Sequence, residues 1–347
     1  MIARLIVLVA TLAGCTYVTI VMDAEQVGRA PPGDAIATGS TNTASSAVAS
    51  PPTPGSGVPE LGAGADLRGY RFFPADNPWN QPIDAAPVDP ASDQLIGSIG
   101  SARTLHPDFG ADWNGGPFGI PYVVVSRDQP RVPVSFRWAD ESDPGPYPIP
   151  PDAPVEGGVS GDGDRHILVL DRDAHRLYEL FAARPDGGGG YAADSGAIFD
   201  LTKNGLRPAG WTSADAAGLP ILPGLVRYDE VAAGEIRHAL RFTARKTRRA
   251  YVAPATHWAS RDTSASLPPM GMRVRLKASF DVSGFPPQAR VVLVALQRYG
   301  MFLADNGSDW FLSGAPDPRW SDDQLRTLKT VRGSDLEVVQ LGRVVTP

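Results

Sequence analysis

The sequence predicts a mainly β fold, a β-sandwich or jelly-roll-like domain with long loops and two or three helices. Glycine and proline are frequent, at 37 and 34 of 347 residues, and they separate many short apolar segments. Two of these segments, IPYVVVS at 120–126 and HILVLD at 166–171, are rich in branched apolar residues, as expected of strands. An α+β arrangement is the alternative, because other segments have helical spacing.

Helices are expected in three places. Apolar residues recur at helical spacing within 92–99. The segment 286–299 begins with Pro286, which a first helical turn tolerates, and stops before Gly300. A capped surface helix is expected in WSDDQLRTLKTV at 320–331.

Three hairpins are predicted from neighbouring strand segments. The first pairs 166–170 with 176–182 through the turn sequence RDAH. The second pairs 235–243 with 249–252 through RKT. The third folds around Asn306-Gly307, a sequence typical of two-residue hairpin turns.

The first 22 residues predict export. Arg4 precedes the apolar run 5–12, and Leu12-Ala13-Gly14-Cys15 resembles the lipobox of bacterial lipoproteins. The resemblance implies that cleavage leaves Cys15 as a lipidated first residue. Because Cys15 is the only cysteine, no disulfide is expected. An uncleaved membrane anchor over the uncharged run 5–22 is the alternative. Both interpretations predict an extracytoplasmic protein, held at a bacterial cell envelope or secreted.

The rest of the chain divides into a linker and one domain. Residues 23–66 are rich in Ala, Gly, Ser, Thr and Pro and predict a disordered tether, whereas residues 67–347 predict a single β-rich globular domain, expected to be a monomer. The net charge of -6 argues against nucleic-acid binding. Membrane contact is expected only through the N-terminal lipid or anchor. A polysaccharide is the expected partner, no cofactor is expected, and the lack of HxH or HxxxH pairs predicts no metal centre.

Candidate catalytic carboxylates lie in two regions. Glycoside hydrolysis needs two facing carboxylates, and Glu156 and Asp164 lie in the loop that leads into a strand at His166. In a hairpin around Asn306-Gly307, Asp305 and Asp309 would face opposite sides of the ribbon. We interpret Asp305 as a turn residue and retain Asp309. The expected catalytic residues of a hydrolase are therefore Glu156, Asp164, Asp309 and His166.

A polysaccharide lyase is the second candidate enzyme. If the second hairpin forms, His238 becomes the diagonal same-face neighbour of Tyr251. Such a pair could abstract and return a proton during β-elimination of a uronic-acid polymer. Basic residues crowd the same hairpin, and among them Arg241 is the candidate for binding a substrate carboxylate. The alternative for these cations is a solvated surface.

Loop tryptophans are the candidate sugar-binding residues. Aromatic faces stack on sugar rings, and a tryptophan beside a titratable group is the arrangement that a carbohydrate cleft needs. Core packing under long loops is the alternative for each of them. The candidates are Trp113, Trp211, Trp258 and Trp310.

Four stretches, SDPGPYPIP, RPAGWTSADAAGLPILPGLVRYDEV, LPPMGMRVRLKASFD and YGMFLADNGSDWF, resemble a group of secreted bacterial proteins whose activity is not established. The resemblance extends over most of residues 70–340 and assigns neither a reaction nor catalytic residues. The expected function is therefore a carbohydrate-active enzyme of the cell envelope, a glycoside hydrolase before a lyase. A non-catalytic glycan-binding or structural envelope protein is the rival class.

Overall fold

The computed structural model describes residues 57–347 and, near the N-terminus, only the backbone of Ala10–Leu12 and Cys15–Tyr17. The side chain of Cys15 and residues 23–56 of the predicted tether lie outside the described residues, so the lipidation and the tether remain predictions. Residues from 57 onward belong to one compact unit. Among the described residues, no helix combines the length and the apolar composition needed to cross a membrane.

The described elements are numbered in chain order. The strands are β1 (Ala10–Leu12), β2 (Cys15–Tyr17), β3 (Gly62–Ala63), β4 (His106–Asp108), β5 (Gly110–Trp113), β6 (Gly116–Phe118), β7 (Tyr122–Val125), β8 (Val134–Phe136), β9 (Ile167–Asp171), β10 (Arg176–Phe181), β11 (Arg184–Pro185), β12 (Tyr191–Ala193), β13 (Ser195–Asp200), β14 (Leu240–Ala244), β15 (Tyr251–Val252), β16 (Arg273–Leu276), β17 (Met301–Asn306), β18 (Phe311–Ser313), β19 (Leu336–Val338) and β20 (Val344–Val345). The α-helices are α1 (Ser92–Ile99), α2 (Tyr228–Ala233), α3 (Pro287–Arg298) and α4 (Asp322–Arg326). Short 3-10 helices cover Ala139–Glu141, Leu222–Gly224, Thr327–Thr330 and Gly333–Asp335.

The prediction of a mainly β fold is confirmed, and the sheets are mixed. A five-stranded sheet has the order β13-β10-β9-β7-β3, and a six-stranded sheet has the order β19-β16-β17-β14-β18-β4. Parallel pairs occur in both, β7 with β9 in the first and β14 with β17 and β18 with β4 in the second. The parallel pairs mean that strands distant in sequence are neighbours in the sheet.

The two larger sheets share one hydrophobic core. Leu168 and Leu177 from the five-stranded sheet belong to the same buried cluster as Leu240 and Phe242 from the six-stranded sheet. The alternate residues of β9 and β10, such as Tyr178, face a second and smaller cluster. This alternation follows from the two-residue period of a strand, and it leaves the five-stranded sheet with apolar side chains on both faces.

One of the three predicted hairpins is confirmed. β9 and β10 pair antiparallel, with Leu170 opposite Leu177. The prediction of a hairpin around Asn306-Gly307 is wrong, because β14 lies between β17 and β18 and pairs with both. The hairpin of β14 with β15 is also wrong, since β15 pairs with β20. The turn sequence Asn306-Gly307 therefore did not determine which strands pair. Instead, β14 became a central strand between β17 and β18.

The predicted helices are present with small differences. α1 and α3 match the predicted segments, and Gly300 follows α3 with φ of 65°, a conformation that glycine adopts without strain. α4 begins after Ser321, whose side chain accepts a hydrogen bond from the Gln324 backbone N–H. The ordered region begins earlier than residue 67, because Gly62–Ala63 pairs with β7.

Two tryptophans offer a test of where the core lies. Trp310 is fully buried, stacks on Phe242 and donates its indole N–H to the Gly100 carbonyl oxygen at 2.9 Å, whereas Trp113 is 68% exposed. We expect Trp310→Ala to lower the free energy of unfolding by about 3–5 kcal/mol. Trp113→Ala should change it by less than about 0.5 kcal/mol. Urea denaturation of the two variants measures both values, and equal losses would contradict the placement.

Candidate functional site

Seven titratable side chains lie close enough to influence one another. Two are buried cations or potential cations, and five are carboxylates that range from buried to exposed. The set is Asp108, Glu156, Asp164, His166, Asp215, Arg241 and Asp305.

One part of the site is a row of side chains across the six-stranded sheet. β14 pairs antiparallel with β18, with Phe242 opposite Leu312, and continuing this register places Arg241 opposite Ser313. β18 pairs with β4 so that Ser313 lies opposite Asp108. Residues opposite one another project from the same face of a sheet. The Arg241 guanidinium donates to the Ser313 hydroxyl oxygen at 2.6 Å. The row therefore places Asp108 on the face that carries Arg241.

A β-bulge brings Asp305 to the same face. β14 and β17 run in register from Leu240 to Phe242, and then the register shifts so that Thr243 lies opposite Asp305. A shift of one residue reverses the face to which the following side chains point. Thr243 shares a face with Arg241, two residues earlier, so Asp305 joins the cluster.

A loop between β13 and α2 supplies the buried carboxylate. Asp215 is 1% exposed, and its two oxygens accept hydrogen bonds from the Arg241 guanidinium at 3.2 and 3.0 Å. The preceding carbonyl oxygen, of Ala214, accepts a hydrogen bond from His166 Nε2 at 3.0 Å. Further along, the Glu179 carboxylate on β10 accepts the backbone N–H groups of residues 221 and 222. The loop is thus bonded to both large sheets.

His166 is held as an imidazolium beside Glu156. Its Nδ1 lies 2.5 Å from Glu156 Oε2, and its Nε2 donates to the Ala214 carbonyl oxygen. Burial opposes the charge, but the Glu156 carboxylate outweighs it and raises the pKa of His166 to about 9. His166 in turn holds the pKa of Glu156 below its usual range, against the effect of burial. Both ring nitrogens of His166 carry protons at neutral pH, so it stabilises the Glu156 carboxylate and does not accept a proton.

Asp164 is the exposed partner of Glu156. Donor atoms of Glu156, Asp164 and His166 all lie within 4.8 Å of one another. Crowding by protein atoms, and then the Glu156 carboxylate, raise the pKa of Asp164 while His166 opposes them. The neighbouring carboxylates of Glu156 and Asp164 therefore have pKa values shifted in opposite directions.

A buried arginine fixes the loop that carries both acids. Arg165 is 2% exposed and has a φ of 50°. Its guanidinium donates to the carbonyl oxygens of Gly158, Val159 and Gly161 at 2.7–3.1 Å and, through Nε, to that of Ala183. The glycine-rich loop is thus bonded to itself and, through Ala183, to the segment between β10 and β11.

The remaining carboxylates hold protons more tightly than usual. Burial, and then the Asp215 carboxylate, raise the pKa of Asp305 well above its usual range. Asp108 is accessible to solvent, yet surrounding protein atoms and the Glu156 carboxylate raise its pKa to about 6. The cluster therefore carries less negative charge at neutral pH than its five carboxylates suggest, because like charges at close range cannot all ionise.

Three predicted catalytic residues lie in other surroundings. Asp309 accepts a hydrogen bond from the Arg245 backbone N–H at 2.8 Å and pairs with Arg103 at 3.4 Å. His238 contacts Glu230 and the Ala239 carbonyl oxygen. Tyr251 stacks on Trp258. The strand pairing that would have made His238 and Tyr251 neighbours does not form, so the lyase interpretation has lost its geometric basis.

The four predicted sugar-binding tryptophans differ in environment. Trp310 is a core residue, whereas Trp113 is exposed at the hairpin that follows Asp108. Trp211 is half-buried, with its ring 5.6 Å from the Arg207 guanidinium, and half-buried Trp258 stacks on Tyr251. Arg241, predicted to bind substrate, is instead 3% exposed and holds Asp215.

Sequence reasoning missed several residues of the site. Asp108, Asp215 and Arg165 lie in segments without a motif. Half-buried Trp138 stacks on Phe181, whose ring centre lies 5.6 Å from that of His166. These ring contacts connect Trp138 to the site. The sequence did indicate that Glu179 is buried, because it shares a face of the strand RLYELF with the core residue Leu177.

The same three side chains could hold a metal ion. Glu156, Asp164 and His166 each offer a donor atom, contrary to the expectation drawn from histidine spacing. An ion there would have to displace the proton that His166 Nδ1 shares with Glu156. Cation binding and the imidazolium state of His166 are therefore mutually exclusive.

Comparisons with known proteins give no relative: no protein family model, curated protein or solved structure matches the chain. The chemistry of the site is therefore argued from its own geometry.

Buried Glu179 predicts a pH dependence of stability. Burial raises its pKa from 4.5 to about 7, although the hydrogen bonds from residues 221 and 222 oppose the change. Because the folded state binds this proton more tightly, the stabilisation is complete below pH 4.5 and is lost as the pH rises through about 7. We expect the wild-type protein to lose about 3 kcal/mol more than Glu179→Gln between pH 4.5 and 7.5. Denaturant titrations across this range measure the difference, and parallel curves would refute the assignment.

Proposed function

We propose that this protein is a glycoside hydrolase that cleaves polysaccharides with Glu156 and Asp164. The observation that carries the proposal is this pair: two carboxylates within 4.8 Å of each other, half-buried Glu156 with a lowered pKa and exposed Asp164 with a raised pKa. A pair of carboxyl groups whose surroundings separate their pKa values is the arrangement that provides an acid and a nucleophile at one pH.

The short separation favours a retaining mechanism. Retaining enzymes have carboxyl groups about 5 Å apart, whereas inverting enzymes leave about 6.5–9.5 Å for a water molecule. Ionised Glu156 attacks the anomeric carbon, and Asp164 donates its proton to the leaving glycosidic oxygen as that bond breaks. Asp164 then takes a proton from water, whose oxygen displaces Glu156 from the anomeric carbon.

The other residues of the site support this pair. His166 keeps Glu156 ionised and oriented, and Arg165 fixes the loop on which both acids lie. Trp138 is half-buried and Trp113 is exposed, and both lie on segments that adjoin the site. We assign these two aromatic surfaces to sugar stacking. The lipobox-like sequence at Cys15 supports a location at the bacterial cell envelope, where polysaccharides are the abundant polymer.

Substitution of the two acids tests the proposal. We expect Glu156→Gln and Asp164→Asn each to lower kcat by at least about 100-fold, since each removes a group that makes or transfers a bond. Asp309→Asn should retain activity, because its carboxylate is engaged by Arg245 and Arg103. Release of reducing ends from a panel of neutral and charged polysaccharides gives the rates, and NMR of the first product gives its anomeric configuration. Activity that survives in Glu156→Gln, or an inverted product, would contradict the mechanism.

His166 predicts a specific change in the pH profile. Activity requires Glu156 ionised and Asp164 protonated, so kcat/KM should rise as the pH passes the lowered pKa of Glu156 and fall as it passes the raised pKa of Asp164. His166→Gln removes the cation that lowers the pKa of Glu156, so the acidic limb should move to higher pH. His175→Gln, an exposed histidine bonded to Tyr70, is the control and should leave the profile unchanged. An unmoved acidic limb in His166→Gln would exclude the assigned role.

A further inference from the structure

A pocket of about 250 Å³ lies outside the candidate functional site, beside one end of β10 and β13. It shares no lining residue with the carboxylate cluster. Its walls combine charged and apolar side chains, among them Arg176, Phe199, Asp200, Lys203, Leu206 and Arg207.

Among the residues that the structure describes, one cation at the pocket, Arg176, forms no salt bridge with a carboxylate. Arg176 lies opposite Asp171 and Asp200 in the sheet register. Those two acids pair instead with other cations, Asp171 with Arg131 and Asp200 with Lys203. The Arg176 guanidinium is exposed and borders the pocket. It is therefore the group that an incoming anion would meet.

The second arginine of the pocket is part of its frame. Arg207 is 8% exposed, pairs with Asp143 and donates to the Thr212 and Glu141 carbonyl oxygens. Its guanidinium also lies 5.9 Å from the ring centre of Phe199. With these partners it contributes positive potential and rigidity but has little capacity for a further bidentate contact.

The remaining wall is apolar. Phe199 is 6% exposed, whereas Leu206 is 60% exposed, so the side chain of Leu206 is free to cover a ligand. A volume of about 250 Å³ is below the range of drug-sized sites and suits a single ring. The pocket thus combines a free guanidinium with an apolar surface at the scale of one ring.

We propose that this pocket binds a ring bearing an anionic group, with the anion on Arg176 and the ring against Leu206. A guanidinium binds a carboxylate or phosphate through two parallel N–H donors, and the ring gains from burial against the leucine. In a protein that acts on polysaccharides, a uronic-acid unit has this chemistry. The binding itself is independent of the proposed reaction.

Direct titration of the whole protein tests the proposal. The probes are D-glucuronate, methyl glucoside as the neutral ring, and inorganic phosphate as an anion without a ring. Isothermal titration calorimetry measures the binding of each. We expect saturable binding of glucuronate, at least about tenfold weaker binding of the neutral ring, and weakening by about tenfold in Arg176→Gln. Leu206→Ser should also weaken glucuronate binding, and because Leu206 is exposed, folding should be unaffected. Arg184→Gln, an exposed arginine outside the pocket, is the matched control and should bind as the wild type does.

The outcomes separate this proposal from the proposed function. Binding that is lost in Arg176→Gln but retained in Glu156→Gln supports a separate anion site, whatever the catalytic activity. No saturable binding of glucuronate overturns the proposal, as does equal binding by wild type and Arg176→Gln. Phosphate binding as tightly as glucuronate would overturn the role of the apolar wall.

Discussion

The buried ion pair between Arg241 and Asp215 is the interaction on which the rest of the site depends. Arg241 is part of the six-stranded sheet, and Asp215 belongs to a loop that is bonded to the five-stranded sheet through His166 and Glu179. The pair therefore fixes the position of one sheet's functional groups relative to those of the other. Taking two charges out of water is costly, and removing one partner of such a pair commonly costs about 3–5 kcal/mol. The bidentate geometry and the additional bond to Ser313 offset that cost.

The excess of carboxylates over cations determines the protonation states. Arg241 and His166 cannot neutralise five acids, and burial favours the protonated form of each acid whose charge the two cations do not offset. The pKa of Glu156, in contact with His166, is lowered, whereas the pKa of Asp305, next to Asp215, is raised well above its usual range. Each raised pKa in the cluster adds stability at acidic pH that is lost as the pH rises. The arrangement of acids that prepares the site for acid and nucleophile chemistry thus also makes the free energy of unfolding depend on pH.

The sequence predicted what depends on local periodicity. The mainly β class, the β9–β10 hairpin, α1 and α3 follow from apolar spacing and from the residues that end each element. The pair Glu156 and Asp164 with His166 was also within reach, because these residues lie within eleven positions of one another. Contacts within one short stretch do not require knowledge of which strands pair.

The errors arose where strands distant in sequence pair. β14 inserts between β17 and β18, about 60 residues away in the chain. The hairpins of β17 with β18 and of β14 with β15, which the turn sequences favoured, therefore do not form. The same pairing contains the bulge that turns Asp305 towards Arg241, so a residue interpreted as part of a turn belongs to the site. Asp309, selected in its place, is bonded to Arg245 and Arg103. A one-residue register shift cannot be predicted from composition, yet it decides which of two acids joins the cluster.

The division between local and distant contributions explains how the site can work as a unit. The reacting pair lies on one short loop, whose shape Arg165 fixes through bonds to neighbouring carbonyl oxygens. The charges that tune the pair come from the two large sheets and the loop between them. His166 connects the two levels, since one ring nitrogen bonds Glu156 and the other bonds the loop that carries Asp215. A change in that loop would therefore reach the ionisation of Glu156 through His166.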